Sequence, residues 1–449
     1  MNLSAPSDPR RARAFRFTGC DYDAGEARLR YAFDDSAELV ERIVFPDAPP
    51  LGGARAQAFA RALRLLHWIA GGSYYKAGAV GQLVIENAAP DHGALALLQS
   101  VYGEGLAEFA YRNGLRLQQH WSVPPAETSA AAPALGLPQH TLVPLGGGKD
   151  SLVVVEALRA AAVSCTVAWV GDSPLIAACA ARTRMPTLQL QRTLAPELFD
   201  YNRTGAWNGH VPVTAINSAI LACAAVLYGY DSIAFANERS ASSATLEYEG
   251  RAVNHQWSKS WDFERRFAAV LHGTVAADLH YCSLLRPWSE LAVTRAFARL
   301  PQYFEVFSSC NRNFRILGPH PADRWCGQCP KCHFVFLALA PFLPKPRLLK
   351  IFGRNLLDDE TQTAGFDALI EYRDHKPFEC VGEGAEARAA FAALAQRPEW
   401  GEDTLVARFR GEILPQLDRA ALALEPWLHP ADEHAVPARL APALAFLRG

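Results

Sequence analysis

Two short stretches of the chain hold residue types that could bind an anion and a metal ion. The first is Val143–Ser151, VPLGGGKDS, where three glycines separate an apolar run from a run with helical spacing. Consecutive glycines let backbone N–H groups approach an anion, and the N-terminus of a following helix adds partial positive charge. Asp150 could hold magnesium, Lys149 could neutralise charge, and Ser151 could donate to a phosphate oxygen. The pattern therefore predicts a polyphosphate site.

This glycine stretch differs from two better-known phosphate loops. A Walker A loop needs a glycine where the chain has Val143, and a serine or threonine after its lysine, whereas Lys149 is followed by aspartate. The dinucleotide fingerprint G-x-G-x-x-G needs a glycine where Ser151 stands. Both of these site types are therefore excluded.

A second stretch holds cysteines at the spacing of a metal site. The four residues are Cys310, Cys326, Cys329 and Cys332, the last three within CGQCPKC. Four thiolates can surround a zinc ion, and four protein ligands leave no open position, so we expect a structural zinc site. His320 or His333 could replace Cys310 as the fourth ligand, and reduced, packed thiols are the alternative. The spacing disfavours a bacterial ferredoxin cluster.

The other six cysteines are scattered and are interpreted as packed or isolated thiols. They are Cys20, Cys165, Cys179, Cys223, Cys282 and Cys380. The N-terminus lacks the apolar core of a secretory signal, so this cysteine usage predicts a reducing, cytoplasmic compartment.

Charge and hydropathy limit the partners. Lys and Arg together number 44 and Asp and Glu 46, a formal charge of −2, so no general basic field is available for nucleic acid. The longest apolar runs, 215–230 and 334–343, are shorter than the roughly 20 residues of a membrane span. We therefore expect a small-molecule partner, with no nucleic acid and no membrane, while the oligomeric state stays open.

The glycine stretch must be positioned by the segment that begins at Thr141. From there, short apolar runs alternate with helical ones, which predicts an α/β fold with a parallel sheet covered by helices on both faces. Ligands of such sheets bind at the carboxyl ends of the strands, so the loops after Leu145, Val170 and Ala236 are expected to face one cleft.

The flanking segments have other patterns. Residues 14–45 predict two or three antiparallel strands, Ala54–Ile69 predicts a helix, and the Ala/Pro-rich stretch 123–139 is typical of a linker. Beyond residue 260 the pattern is more helical. We predict four units: an α+β recognition domain at 1–138, the parallel-sheet domain at 139–300, the four-cysteine zinc segment at 301–345 and a mostly helical region at 346–449.

GGGKDS resembles the S-G-G-x-D-S loop of the PP-loop ATP pyrophosphatases, an adenine-nucleotide hydrolase-like family. Gly147, Gly148, Asp150 and Ser151 match that loop, whereas Gly146 replaces its first serine and removes one hydroxyl contact. The resemblance implies that ATP is split between its α and β phosphates and that AMP is transferred to an oxygen of the substrate.

The glycine loop and the C…CGxCxxC motif together resemble the motifs of the 7-cyano-7-deazaguanine synthases. This chain, however, is about twice as long as those enzymes. Segments foreign to that family are SYYKAG (73–78), NERSAS (237–242), NHQWSKS (254–260) and HKPFECVG (375–382). With the loop and the length, they resemble the UDP-N-acetylmuramoyl-L-alanyl-L-glutamate epimerases. That resemblance implies an isomerase of peptidoglycan precursor synthesis, acting in cell wall biogenesis and cell shape, which inverts the terminal L-glutamate with ATP and magnesium and releases AMP and pyrophosphate.

The resemblance also implies roles for individual residues. Those expected to bind the nucleotide are Gly146, Gly147, Gly148, Asp150, Ser151 and Arg239. Those expected in catalysis are Lys149, Asp150, Ser151, His255 and Lys259. His210 is a further candidate proton shuttle, Glu238 a further metal ligand and Arg251 a further cation. Tyr74, Tyr75 and Lys76 could contact sugar or base, although burial of the tyrosines in the core is the better expectation.

Three other functions share these motifs. One is a synthase that activates a small carboxylate and forms an amide or nitrile. Another is an adenylating enzyme that modifies transfer RNA, for which the expected basic surface is missing from the charge totals. A third is a zinc-stabilised nucleotide-binding module without catalysis.

Overall fold

Antiparallel strands begin the chain in the computed structural model, which describes residues 8–125, 131–315 and 319–448. They confirm the strands predicted within residues 14–45, and the helix predicted over Ala54–Ile69 is also present. Part of the predicted linker, 126–130, lies outside the described residues. The elements here are β1 (Ala14–Asp23), β2 (Glu26–Phe33), β3 (Leu39–Val44), α1 (Gly53–Ala70), α2 (Gly72–Tyr75), β4 (Gln82–Ile85), α3 (His92–Gly103), α4 (Ala107–Arg112) and β5 (His120–Ser122).

Strands and helices alternate after residue 140. The elements are β6 (Thr141–Pro144), α5 (Lys149–Ala160), β7 (Cys165–Val170), α6 (Pro174–Thr183), β8 (Thr187–Thr193), α7 (Glu197–Arg203), α8 (Val213–Tyr228), β9 (Ser232–Phe235), β10 (Leu246–Tyr248), β11 (Arg251–Val253), α9 (Trp261–Val270) and β12 (His280–Ser283). Strands β12, β9, β6, β7 and β8 lie side by side in that order, and each neighbouring pair is parallel. The predicted parallel sheet is thus confirmed, whereas β12 lies in a region for which the sequence predicted mainly helix.

The parallel strands continue into the N-terminal strands without a break. Within the described residues, one ten-stranded sheet has the order β12-β9-β6-β7-β8-β3-β2-β1-β4-β5. The junction is an antiparallel pair between β3 and β8, in which Ile43 faces Arg192. Beside it, the buried carboxylate of Glu41 accepts a hydrogen bond from Arg192 Nε at 2.7 Å. The sheet therefore spans residue 138, and the division into domains there stays a prediction.

Helices cover both faces of the parallel strands, and each face has its own core. Adjacent residues of β6 belong to different cores. Leu142 packs with α1, α8 and α9, whereas Val143 packs with α5, α6 and the later helix α10 (Glu290–Ala298). The N-terminal helix α1 thus shares a core with the central sheet. Burial on both faces explains why β7, CTVAWV, is an almost continuous apolar run.

The C-terminal part is helical, as predicted, and joins the core that contains α5. Its helices are α10 (Glu290–Ala298), α11 (Pro330–Leu339), α12 (Lys345–Phe352), α13 (Thr363–Leu369), α14 (Gly384–Ala395), α15 (Thr404–Arg408) and α16 (Ala445–Arg448). Short 3-10 and π turns connect many of the elements. In the part of the chain that the structure describes, no helix combines the length and apolar character needed to cross a bilayer.

Candidate active site

A tight turn between β6 and α5 carries the glycine stretch. Gly147 has a backbone φ of +78°, which favours glycine, and its carbonyl accepts a hydrogen bond from the Ser308 N–H at 2.9 Å. A Cβ atom at Gly148 would lie 2.7 Å from Ser309 Oγ, so a side chain has no room there. The N–H groups of Gly147 and Gly148 donate to no other described group, and the first N–H groups of α5 have no partner within the helix. These donors suit an anionic ligand.

A cavity of about 310 Å³ opens beside this turn, at the carboxyl ends of β6, β7 and β9. As expected, the segments after these strands border one cleft, through Leu145, Val170 and Ala236. The volume lies at the lower end of the range of small-molecule pockets. Its charged lining residues are Asp150, Lys259 and Lys331, and its hydroxyl and thiol groups come from Ser151, Thr214, Ser309 and Cys380.

Asp150 borders the cavity, whereas Lys149 lies behind it. The buried ammonium of Lys149 contacts the carboxylates of Asp150 and Glu290. Burial acts to raise the pKa of Asp150, but the nearby Lys149 and Lys331 ammonium groups outweigh it and hold that pKa below its ordinary value. Burial, with help from Asp150 and Glu238, raises the pKa of Glu290 to about 8 although Lys149 opposes this. Asp150 is thus an ionised carboxylate at the cavity edge.

The other residues predicted for nucleotide binding divide into two groups. Gly146 and Ser151 border the cavity, and the Ser151 hydroxyl accepts a hydrogen bond from the Gly146 N–H at 3.4 Å. Arg239 does not border it, although it begins the 3-10 turn Arg239–Ser242 that follows the lining residue Asn237. Glu238 is buried, 4% exposed, and points away from solvent. The predicted loop residues other than Gly147 and Lys149 therefore border the cavity, and Arg239 lies beyond them.

His255 and Lys259 both interact with Cys380, but of these two only Lys259 borders the cavity. His255 Nδ1 is 2.5 Å from Glu108 Oε2, and the ring of His210 is centred 4.4 Å from that of His255. Burial acts to lower the pKa of His255, but hydrogen bonds with Cys380 and Glu108 raise it to about 9. Burial lowers the pKa of His210 to about 4. At neutral pH, His255 is therefore charged and His210 neutral.

Arg286 holds the segments that carry these groups. Its guanidinium is 2% exposed and donates to Glu264 Oε2 at 2.9 Å, to the Glu238 carbonyl at 2.8 Å and to the Lys259 carbonyl at 2.5 Å. Because three segments meet at one buried side chain, Arg286 fixes the backbone beside the cavity. No local pattern indicates this role, because Arg286 and Glu264 are 22 positions apart and no helical or strand spacing links them.

Lys331 and Cys380 also line the cavity, although neither was predicted from the sequence as a site residue. Lys331 lies between Cys329 and Cys332, and its ammonium donates to the Cys380 carbonyl. Cys380, interpreted from the sequence as a packed or isolated thiol, instead borders the cavity. A signal for it was present, since it lies in the segment HKPFECVG.

The four predicted metal-binding cysteines form one cluster. Their sulfur atoms lie within 4.8 Å of one another, with Cys329–Cys332 at 3.5 Å, Cys326–Cys332 at 3.8 Å and Cys310–Cys329 at 3.9 Å. Zinc–sulfur bonds of about 2.3 Å give a tetrahedron with edges of about 3.8 Å, so the spacing suits zinc. The Gln328 N–H donates to Cys326 Sγ at 3.5 Å, an outer contact of the kind that orients a metal ligand.

The histidines considered as substitutes lie elsewhere. His320 is exposed, and His333 Nε2 is 2.8 Å from Gln362 Oε1. Neither belongs to the cluster, so Cys310 completes the four. The cluster adjoins the cavity, because Ser309 and Asn311 flank Cys310 and both line it.

We expect Cys329→Ser to lower zinc content and thermal stability together, because the cluster loses a thiolate at the start of α11. Zinc is measured by elemental analysis of the purified protein and stability by thermal unfolding followed by circular dichroism. Cys282→Ala is the matched control, a buried cysteine of β12 outside the cluster, which keeps its zinc. Full zinc occupancy in Cys329→Ser would show that the ligand assignment is wrong.

Several residues singled out in the sequence do not reach the cavity. Tyr74 and Tyr75 are fully buried core residues, as expected by default. Lys76 Nζ donates to Asn208 Oδ1 at 2.6 Å. Arg251 is exposed on the hairpin of β10 and β11. None of them lines the cavity.

A larger cavity of about 650 Å³ lies between β1 and α1. Arg30, Arg64 and His67 contribute to its lining. None of the residues predicted for catalysis or nucleotide binding lines it, which leaves the smaller cavity as the candidate active site.

The fold and the site define a class of protein: an α/β chain with a glycine turn at the carboxyl edge of a mostly parallel sheet and an adjoining four-cysteine cluster. A family model described as "MurL N-terminal domain" matches residues 6–284, and one described as "MurL C-terminal domain" matches residues 306–423. The chain therefore belongs to the MurL family.

Similar proteins align along nearly their whole length. One from Xanthomonas oryzae pv. oryzae is 58% identical, covering 96% of this chain and 97% of the relative. One from Micromonospora sp. is 41% identical and covers 97% of this chain and 98% of the relative. One from Salinispora tropica is 40% identical and covers 98% of this chain and 97% of the relative. All three are named UDP-N-acetyl-alpha-D-muramoyl-L-alanyl-L-glutamate epimerase.

Proposed function

We propose that this protein is a cytoplasmic, ATP-dependent epimerase of peptidoglycan precursor synthesis. It converts the terminal L-glutamate of UDP-MurNAc-L-Ala-L-Glu to D-glutamate through an acyl-adenylate and releases AMP and pyrophosphate. The observation that carries the proposal is the glycine turn with Asp150, placed at the carboxyl edge of the parallel sheet in a chain whose full-length relatives bear the epimerase name. On this proposal the fold is that of a PP-loop ATP pyrophosphatase.

Adenylation explains why an epimerase would use ATP. The Cα–H of a free α-carboxylate is a very weak acid, because its carbanion would lie beside an existing negative charge. Attack of the carboxylate on the α-phosphorus of ATP expels pyrophosphate and makes the carbonyl electron-withdrawing. The glutamate nitrogen is already acylated by alanine, which favours loss of the α-proton further. Reprotonation on the other face and hydrolysis of the adenylate give D-glutamate and AMP.

The residues around the glycine turn suit the first step. The unpaired N–H groups of Gly147 and Gly148 would bind phosphate oxygens, together with Gly146 and the Ser151 hydroxyl. Asp150 would hold magnesium, which neutralises phosphate charge. Lys149, buried between Asp150 and Glu290, would position Asp150 rather than touch the nucleotide. Lys259 and Lys331 supply positive charge on the cavity wall for the leaving group and the carboxylates.

The remaining parts would have supporting roles. Zinc held by the four cysteines would fix the loop that carries Ser309 and Asn311 against the cavity. Arg239, just beyond the cavity, would reach the nucleotide or a substrate carboxylate. The N-terminal unit 1–138 would recognise part of the nucleotide-sugar peptide.

We expect the purified, zinc-loaded protein to form both AMP and D-glutamate from ATP, magnesium and UDP-MurNAc-L-Ala-L-Glu. AMP is measured by chromatography, and glutamate stereochemistry by chiral derivatisation after acid hydrolysis. Hydroxylamine added during turnover is expected to trap the acyl-adenylate as a hydroxamate. Reactions without ATP, or with the D-glutamyl isomer as substrate, are the controls.

The same assay distinguishes the other functions. The amide-forming synthase is indicated if, with ammonia present, AMP is released and an amide forms while the glutamate keeps its L configuration. AMP released only with transfer RNA indicates the modifying enzyme. Nucleotide bound without AMP indicates a binding module. Folded, zinc-loaded protein that forms no D-glutamate contradicts the proposed function.

A further inference from the structure

Cys380 is held rigidly at the cavity by the residues around it. Lys331 donates to its carbonyl, and the Gln256 side-chain amide donates to the carbonyl of the next residue, Val381, at 3.3 Å. On the other side, the Asn311 side-chain amide donates to Glu379 Oε2. Two bonds to backbone carbonyls and one to the neighbouring Glu379 side chain thus hold the segment that places the thiol in the lining.

Two cations face that thiol. His255 and Lys259 both interact with the Cys380 side chain, and His255 is oriented from behind by Glu108 at 2.5 Å. Glu108 is 4% exposed and accepts a second hydrogen bond from Arg112 Nε at 2.6 Å. The arrangement is a thiol, an imidazole and a carboxylate in sequence, with an ammonium beside the thiol. It is the arrangement that activates a cysteine.

The electrostatics favour the thiolate. Burial acts to raise the pKa of Cys380, but Lys259 and His255, and to a smaller extent Lys331, lower it to about 5. The groups that face the thiol are His255 and Lys259 from the segment before α9, Lys331 from α11 and Glu379 from its own segment. At neutral pH the cavity therefore holds a thiolate beside an imidazolium.

The other titratable lining groups are less suited to accept a proton. Burial acts to lower the pKa of Lys259, but Cys380 and Glu238 raise it above its ordinary value, so the ammonium stays charged. Asp150 is assigned to magnesium. His210, although neutral, does not border the cavity. The Lys331 ammonium donates to the Cys380 carbonyl, so among the described lining residues Cys380 is the remaining candidate base for the substrate.

We propose that Cys380 is the catalytic residue that removes the α-proton of the activated glutamate, with His255 as its positioning residue. This inference rests on the proposed function. The Cα–H bond breaks, an S–H bond forms, and the electron pair moves onto the activated carbonyl. Water then gives a proton to the opposite face of Cα, and the thiol releases its proton to solvent, which neutralises the hydroxide formed and regenerates the thiolate. Each turnover exchanges the Cα hydrogen with solvent.

The decisive experiment separates adenylation from proton transfer in the full-length, zinc-loaded protein. Wild type, Cys380→Ser and Cys380→Ala are incubated with ATP, magnesium and UDP-MurNAc-L-Ala-L-Glu in deuterium oxide. Deuterium at Cα is read by mass spectrometry and adenylation by exchange of labelled pyrophosphate into ATP. We expect Cα exchange and D-glutamate to fall about 100-fold or more in both variants, because a general base contributes about that much. Pyrophosphate exchange should stay within a few-fold of wild type.

Each other outcome overturns the inference. Wild-type Cα exchange in Cys380→Ser shows that another group is the base, and equal loss of both reactions shows a merely structural role. Cys165→Ala, which replaces a buried cysteine at the start of β7 and outside the cavity lining, is the matched control and should retain both reactions. If wild type itself forms no D-glutamate, the proposed function fails instead.

A second measurement needs neither substrate nor a Cys380 variant. Alkylation of Cys380 by iodoacetamide, followed by peptide mass spectrometry, is expected to reach half its maximal rate near pH 5 rather than at the ordinary thiol value of about 8.5. In His255→Gln the midpoint should rise by about 1–3 pH units, because one cation beside the thiolate is lost while Lys259 remains. D-glutamate formation by that variant should be lost near pH 6 and largely recover near pH 9. An unchanged alkylation profile in His255→Gln would show that the imidazole does not activate the thiol.

Discussion

Replacing Asp150 by asparagine is expected to lower AMP release by about 100- to 1,000-fold while the protein stays folded. The substitution removes the negative charge at the cavity edge but keeps the size of the side chain. Lys149 loses one partner and retains Glu290, so the buried ammonium is not left without a carboxylate. AMP is measured by chromatography, and folding by thermal unfolding. Asp150→Ala should show at least the same loss.

Magnesium dependence tests whether the lost function is metal binding. If Asp150 holds magnesium, the residual activity of Asp150→Asn should rise with magnesium concentrations that already saturate the wild type. The matched control is Asp262→Asn, a partly exposed aspartate that, like Asp150, lies in the first turn of a helix. It should leave AMP release unchanged. Unchanged turnover in Asp150→Asn would remove the glycine turn from the mechanism.

A large loss of folding stability is expected when Arg286 is replaced. Arg286→Met should lower the free energy of unfolding by about 3–5 kcal/mol, because the 1% exposed carboxylate of Glu264 would lose its cation. The Glu238 and Lys259 carbonyls would also lose a donor beside the cavity. Urea unfolding followed by circular dichroism and tryptophan fluorescence measures the change.

Two further variants isolate the buried charge as the cause. Arg265→Met removes an arginine of α9 that is 58% exposed, and its effect should stay within about 0.5 kcal/mol. Adding Glu264→Gln to Arg286→Met should recover part of the lost stability, since the uncompensated charge disappears. A loss below about 1 kcal/mol in Arg286→Met would contradict the assignment of this ion pair as essential.

Local patterns predicted the parallel sheet, the glycine turn and the four-cysteine cluster. Each depends on neighbours in the sequence: alternating apolar runs, three consecutive glycines before a helix, and CGQCPKC. For the fourth metal ligand, the sequence left a choice between Cys310 and a histidine, because that ligand is distant from the CGQCPKC motif. The sulfur positions identify it as Cys310.

Long-range contacts could not be predicted in the same way. Lys149 meets Glu290 across 141 positions, and His255 meets Glu108 across 147. No periodicity links such pairs, and the chemistry of Cys380 arises entirely from them. A cysteine without a nearby partner in sequence was therefore interpreted as a packed or isolated thiol, although the fold surrounds it with cations.

The β3–β8 junction has a consequence for synthesis on the ribosome. Glu41 leaves the ribosome 151 positions before Arg192, which at about 5–20 residues per second is roughly 8 to 30 seconds. During that interval β3 is an unpaired edge, where a neighbouring nascent chain could add a strand. The carboxylate of Glu41 opposes such pairing, because burying it without Arg192 would leave a charge uncompensated. Glu41 thus disfavours pairing of the β3 edge with other chains during translation, and it pairs with Arg192 once β8 has been synthesised.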